Sequence, residues 1–486
     1  MTSTTPSQED PAMTAQTPAT TDAPSVPAAR TPLSWDALRG RLTGRLALPG
    51  QPGYELAIPW NVAVPVQPQA VVAAADAEDV AAVVRFARSH GLTVAVQRTG
   101  HGAVPLDASS VMVHTGALDE VSVDVEGRWA RVGAGATWQQ VLDAATPHGL
   151  APLCGSAPGI GVAGFLTGGG LGPIARSVGV SSDHVRAVEV VTGEGRLRRA
   201  TPTEHRELFW GLRGGKGTLG VVTAVEIDLL PIAELVGGCL WFDGADAAAV
   251  TEAWRRLCEA LPEEGTTSLA FAQLPPLPQL PPQIAGRLTV AVRFAWLGEP
   301  AHAEELLAPL LAAATPVLGG VGPMPYSAIG SIHADPVDPM PVHEQVSLLR
   351  ELPAEAVSAL VAAAGPGSGS LQTIVEVRHL GGAVAREPQR RSAFCHRDTA
   401  FTVLAIGVPV PDPGAVAADA SRVLASLAPW TTGARFPNFG ASADPAEVAR
   451  AYDPETLRWL GMLAEQYDPA GVLRVGAVVR TQAHTG

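Results

Sequence analysis

Three places in this chain combine residue types and spacings that could do chemistry. The first is Pro152 to Gly172, which holds eight glycines. Each glycine gives up more backbone entropy on folding than any other residue, so such density needs a reason. The usual reason is backbone that must lie very close to a ligand, with bare N–H groups turned toward a phosphate or pyrophosphate. The second place is Arg98-Thr-Gly-His101-Gly, which follows a short β-branched run. An imidazole flanked by glycines at the end of a strand is open to a ligand. A hydrogen-bonded loop histidine is the alternative. The third is Leu371 to His379, where alternation puts Gln372, Ile374, Glu376 and Arg378 on one face of a strand. Two same-face charges inside a strand predict a polar cavity there. Glu376 and Arg378 either orient a polar substrate or pair with each other.

The glycine stretch contains a decoy. Gly159-Ile-Gly161-Val-Ala-Gly164 spells G-x-G-x-x-G, and Asp183 lies about 20 residues on, where a nicotinamide-dinucleotide fingerprint places its ribose acid. That fingerprint needs a strand before it and a helix opening inside it. Here Pro158 precedes the motif and Thr167-Gly-Gly-Gly-Leu-Gly172 follows. The expectation is a pyrophosphate loop without a helix.

The elements that must position these residues belong to a chain of 486 residues, enough for two or three domains of ~150 each. A net charge of -14 argues against nucleic acid and against an anionic membrane surface as partners. The four cysteines, Cys154, Cys239, Cys258 and Cys395, show no CxxC spacing, so neither a disulfide framework nor a zinc site is expected, and no other metal. Residues 1–33 are rich in Thr, Ala, Pro and Ser and read as a disordered tail without signal or transit features. A soluble cytoplasmic protein is expected.

In chain order, Ser34 caps a short helix from Trp35, Val64 to Ala75 is strand-like, and acidic Asp76-Ala-Glu-Asp79 opens a helix that stops at Gly91. Thr93 to Gln97, Val111 to Thr115, Val121 to Val125 and Trp129 to Val132 read as strands. Thr137 to His148 and Glu204 to Leu212 read as helices, Ala187 to Thr192 and Val221 to Leu230 as strands. Beyond Gly237, strands at Cys239–Phe242, Ser268–Gln273, Leu288–Trp296, Thr373–His379 and Ala400–Val408 alternate with Ala/Leu-rich helices. That alternation predicts a sheet with helices on one face. Leu274–Pro282 and Gly322–Pro341 read as proline-rich connectors.

Four segments together carry a resemblance: Arg98-Thr-Gly-His101, the loop Gly155–Gly172, Arg176 to Thr192, and Leu208-Phe-Trp-Gly-Leu-Arg-Gly-Gly-Lys-Gly217 through Thr223. Arg378-His-Leu-Gly-Gly-Ala383, Asn438-Phe439 and Tyr467-Asp-Pro469 extend it. From about residue 35 onward the chain resembles FAD-linked oxidases of the vanillyl-alcohol-oxidase fold, in particular the bacterial berberine-bridge-enzyme-like branch. The resemblance implies an α+β chain. A two-subdomain PCMH-type FAD-binding domain would span 34–231, and 232–429 a substrate domain of antiparallel sheet with helices on one face. Residues 430–486 would return to the FAD domain.

The same resemblance implies that FAD is held by Arg98, Thr99, Gly100, His101, Gly102, Gly155, Ser156, Gly159, Gly161, Val162, Gly164, Gly168, Gly169, Asp183, Val222 and Asn438. His101 would be joined covalently to the flavin 8α-methyl. Some members carry a second link from a cysteine, but the matching position here is Ala157, so Cys154 is expected only to pack and the flavin to be singly linked. Many relatives use a tyrosine before the Asn-Phe pair as base, and here that position is Phe436. A base would then come from Tyr326, Glu376, His333, His379 or His396, with Tyr326, Glu376 and Arg378 as the catalytic set. Lys216 and Thr218 replace the more usual Gly and Asn of the second glycine loop. The implied reaction is hydride transfer from an alcohol, sugar or amine, in secondary metabolism, to flavin N5, with reoxidation by molecular oxygen to hydrogen peroxide. A flavin-guided cyclisation or rearrangement without net oxidation, and a non-catalytic flavin-binding protein, are the alternatives. The oligomeric expectation is a monomer or homodimer.

Overall fold

The computed structural model describes residues 33–485, so most of the expected N-terminal tail lies outside it. Three sheets carry the chain. The first has four strands in the order Arg45–Ala47, Ala70–Ala73, Ser110–His114, Thr93–Gln97, and all but the first pair are parallel. Helix Ala77–His90 covers it. Its ends follow the residue chemistry: the Asp76 carboxylate accepts from Asp79 N–H, and Gly91 takes the left-handed conformation at φ 69°. Of the expected longer strand Ala70–Ala73 joins the sheet and Val66 makes only an isolated bridge to Leu106, because Pro65 and Pro68 have no N–H to offer a continuous ladder.

The second sheet is antiparallel and five-stranded: Val121–Asp124, Trp129–Gly133, Val221–Asp228, Val185–Val191, Leu197–Ala200. Helices Trp138–Ala145, Val162–Thr167 and Arg206–Leu212 share its core with Trp138, Val141, Leu142, Leu208 and Phe209. The C-terminal segment returns to the first sheet, where Val94 N–H donates to Val472 C=O at 2.7 Å.

The third sheet is antiparallel with seven strands: Leu318–Pro325, Glu234–Asp243, Leu288–Trp296, Gly265–Gln273, Ile374–His379, Phe401–Gly407, His343–Leu349. Helices Ala247–Ala260, Pro300–Ala313, Ala354–Ala364 and Pro413–Ala425 bury one face with Leu269, Phe271, Val292, Phe294, Val375, Val377 and Val403. Trp254 is fully buried there and donates its indole N–H to Thr267 Oγ1 at 3.0 Å. Alternation turns Arg293, Ser268, Glu376, Arg378 and Glu344 to the other face, which meets the second sheet's half of the molecule. The α+β expectation with helices on one face of an antiparallel sheet holds. Both edge strands, Leu318–Pro325 and His343–Leu349, lie outside the expected set. The first reads Leu-Gly-Gly-Val-Gly-Pro-Met-Pro, a composition tolerated at an edge because only one side of the strand must pair.

Candidate active site

The loop after strand Thr93–Gln97 is pressed against the residues before it. Gly100 sits at φ 77°, and a Cβ there would stand 2.5 Å from Pro59 Cα, so both conformation and space require glycine. Trp60 N–H donates to Thr99 C=O at 2.8 Å. The Trp60 ring then stacks on His101 with centroids 4.4 Å apart and planes at 14°. Thr99 Oγ1 holds His101 Nδ1 at 2.9 Å. Burial pushes the imidazole down to about 4, against the opposing charge of Asp335, so His101 is neutral near pH 7.

His101, Arg98, Thr99 and Trp60 line a cavity of about 530 Å³. Ala157, Pro158 and Gly159 of the glycine stretch form a second wall, and Ser327, Ser331 and Asp335 from the segment after strand Leu318–Pro325 form a third. Trp60 Nε1–H to Val337 C=O at 3.1 Å and Asn61 Nδ2–H to Val342 C=O at 3.0 Å close one side.

The residues present fit FAD. Among the described residues, the N–H groups of Gly100, His101 and Gly102 on one loop, and of Gly155, Ser156, Ala157 and Gly159 on the other, donate to no protein acceptor. Two facing loops of free donors suit a pyrophosphate. Gly102, Gly159 and Gly164 also have nothing within 4 Å of where a Cβ would project.

The rest of the glycine stretch differs from expectation. A helix does open inside it, Val162–Thr167, despite Gly164 and the glycines beyond. Val162 is fully buried and its N–H already donates to Ala136 C=O at 3.0 Å, so that amide is not a free donor. Gly161 packs on Arg98, with a would-be Cβ 3.2 Å from Arg98 Cγ. Gly168 and Gly169 are packed on the side where a Cβ would project: Cβ atoms there would lie 2.0 Å from Asn438 Oδ1 and 2.2 Å from Phe394 Cδ2. Asn438 donates to Phe165 C=O at 2.8 Å and accepts from Lys216 Nζ. Asp183 is not a ribose acid, because both its oxygens are taken by Arg397 at 2.9 and 2.7 Å. Val222 is a core residue of the second sheet, opposite Val190. Cys154 is buried and its thiol is pushed up to about 12 by burial, in keeping with a packing role.

The expected catalytic residues do not line the 530 Å³ cavity. Tyr326 is buried, with its hydroxyl donating to Pro152 C=O at 2.7 Å, and burial holds its pKa well above the ordinary value. It cannot serve as a base in that setting. Glu376 is enclosed by Arg293 Nη1 at 3.0 Å, Arg378 Nη2 at 2.8 Å, Ser268 Oγ at 2.8 Å and His333 Nε2 at 3.5 Å. Burial opposes its charge, but Arg378 and Arg293 outweigh that and hold the carboxyl well below its usual range. Glu376 and Arg378 therefore pair with each other, beside a pocket of only about 30 Å³ that Arg378, Arg293 and His333 help to line. His379 stacks on Phe401 and lies 3.2 Å from Arg176, and burial with that charge pushes it down to about 3. Burial likewise lowers His333 and His396.

Two acids stand in this region that the sequence reading missed. Asp335 lines the cavity and feels both His101 and Arg378. Glu344 lies on the inward face of the edge strand His343–Leu349. Neither sits in a motif, and the strand carrying Glu344 was not expected. Among the described residues, no group of three or more His, Cys, Asp and Glu side chains is placed to hold a metal, and no helix is long and apolar enough to cross a membrane.

Comparison with known proteins also points to FAD. Residues 68–201 match the FAD binding domain family. (R)-6-hydroxynicotine oxidase of Paenarthrobacter nicotinovorans is 26% identical over 458 residues, covering 89% of this chain and 96% of that protein. The FAD-dependent monooxygenase FUP4 of Fusarium proliferatum is 34% identical over 213 residues, a match spanning 43% of this chain and only 41% of FUP4. Among solved structures, 6-hydroxy-D-nicotine oxidase from Arthrobacter nicotinovorans superposes with a TM-score of 0.78 at 23% identity, over 89% of this chain and 97% of that one. Berberine bridge enzyme from Eschscholzia californica gives 0.75 at 17% identity, over 90% and 97%.

Proposed function

We propose that this chain, an FAD-linked oxidoreductase with the fold shared by 6-hydroxynicotine oxidase and berberine bridge enzyme, is an oxidase with a flavin covalently held by His101. Its substrate is an alcohol, sugar or amine-type small molecule, a secondary metabolite by class, and molecular oxygen is the final acceptor, giving hydrogen peroxide. Bound FAD supplies the hydride acceptor. The protein's own part is binding, orientation and exclusion of water.

The observation that carries this reading is the convergence of a neutral histidine and two loops of free N–H groups on one cavity. The loops receive the pyrophosphate. Thr99 occupies His101 Nδ1, which leaves Nε2 as the atom for attachment. Trp60, stacked on the ring, fixes its plane. On the facing sheet, Arg293 and Arg378 against Glu376 leave one net positive charge, which orients a polar group of the substrate. Residues 34–231 supply the cofactor half and 232–429 the substrate half, with 430–486 returning to the first. We place the enzyme in the cytoplasm as a monomer or homodimer.

Acid precipitation tests the attachment. The flavin should stay with the polypeptide, and its complete release into the supernatant would show that His101 is not linked. A peroxide-coupled panel of sugars, alcohols and amines tests the oxidase reading. Anaerobic bleaching by a substrate that yields no peroxide in air would instead favour a different acceptor or a redox-neutral reaction.

A further inference from the structure

The inward face of the seven-stranded sheet carries two buried or half-buried glutamates with opposite surroundings. Glu376 is saturated by Arg293, Arg378, Ser268 and His333. Glu344 has no ion pair among the described residues, and its side of the strand is half-buried rather than sealed. Its placement follows from register. Leu349 packs into the helix-covered face, while Leu348 packs inward with Leu171 and Ala175 of the glycine stretch and the segment after it. Alternation therefore puts Val346 and Glu344 inward as well. Glu344 stands opposite Ile406, which stands opposite Ile374, so it lies two strands from the row that ends in Glu376 and Arg378. At ~4.8 Å per strand the backbones of the two strands lie about 10 Å apart, with both acids on the same inward face.

We propose that Glu344 is the general base of the oxidation, resting on the reading of this chain as a flavin oxidase that acts on an alcohol or amine. The substrate's O–H or N–H bond breaks and its proton passes to a Glu344 carboxylate oxygen. Bound FAD would supply the acceptor for the hydride of the adjacent C–H, the bond from carbon to oxygen or nitrogen would gain its second pair, and the Glu344 acid would return its proton to water. A base must be free to take a proton near the working pH. Burial raises Glu344, opposed by the N–H of Gly440 and by the charges of Arg378 and Arg435. The other groups around it are Glu376 two strands away, which raises it further, and Lys216 from the second glycine loop, itself pushed down to about 8 chiefly by burial. Strong counter-ions would remove the basicity, as they do at Glu376. The three cations near Glu344 act at longer range, without contact.

Sulfite, an anion that adds to oxidised flavin and bleaches it, probes this charge without any known substrate. It should bind wild type and Glu344→Gln alike at the acid end of the series. Above the Glu344 pKa it should bind Glu344→Gln about tenfold more tightly, because the variant lacks the repelling carboxylate. Glu344→Asp keeps the pH-dependent response and controls for misfolding. With a substrate from the peroxide panel, kcat of Glu344→Gln should fall by roughly 10²–10⁴ and the acidic limb of its pH profile should vanish, with acid-stable flavin unchanged. A sulfite response identical to wild type, or a limb that disappears in Asp335→Asn instead, overturns the assignment to Glu344 alone. Protein without any flavin overturns the oxidase reading and this proposal together.

Discussion

Gly159 and Gly172 lie in the same glycine-dense stretch and have opposite surroundings. Nothing lies within 4 Å of a Cβ built on Gly159, whereas one on Gly172 would stand 2.2 Å from the Cys154 carbonyl oxygen. At Gly159, and again at Gly164, the stretch is glycine where backbone lines open space. Toward Gly172 it is glycine so that backbone can pack on backbone, with Phe394, Phe165 and Cys154 filling the room. One residue type thus serves a ligand and the fold within a few turns of chain, and residue type alone does not separate the two uses.

Substitutions can break or sharpen that contrast. The largest effect is expected from Gly172→Ala, since rigid backbone must move: about 3 kcal/mol of stability should be lost, read from the denaturation midpoint. A midpoint within error of wild type would mean the packed half is looser than described. His101→Ala, on the open side, should leave the fold intact and release all flavin on acid treatment. Retained flavin would point to another anchor. Gly159→Ala should change stability by no more than ~0.5 kcal/mol while weakening flavin retention before attachment, so a large loss of stability there would erase the difference between the halves. Cys154→Ala should be the mildest for the cofactor, with flavin spectrum and attachment unchanged.

A pH series adds a further check on the packed side. His379 has its folded pKa depressed to about 3, against ~6.5 when unfolded. The unfolded chain therefore binds more protons between these values, and stability should decline as pH falls from about 6.5 toward 3. His379→Gln should flatten part of that decline in thermal melts.

Much of the N-terminal part, up to the seven-stranded sheet, was legible. Helix Ala77–His90 announced both of its caps, strand Thr93–Gln97 its β-branched run, and Arg98-Thr-Gly-His101 the loop that reaches the cavity. The seven-stranded sheet was legible only where its strands are central and apolar. Leu318–Pro325 hid behind its glycines and prolines because an edge strand pairs on one side and needs little β propensity. His343–Leu349, the other edge, hid with it, and so did Glu344. Pairing was the second blind spot. Glu376 looked like the reactive acid from its position on the strand; its pairing with Arg378 was one of the two local readings, but its other partners come from Arg293 on another strand and His333 on a loop, and no local pattern reports those. Short helices such as Val162–Thr167 escape for a related reason, since core contacts made by Val162, Phe165 and Leu166 outweigh the poor local propensity.

The seam at the cavity wall also has a consequence for biosynthesis. Asn61 and Val342, joined by a hydrogen bond, are 281 residues apart in sequence. At roughly 5–20 residues per second, the ribosome delivers the second partner about 15–55 s after the first. During that interval the loop carrying His101 exists without the wall that Val337 and Val342 later supply, so that side of the site is open in the nascent chain.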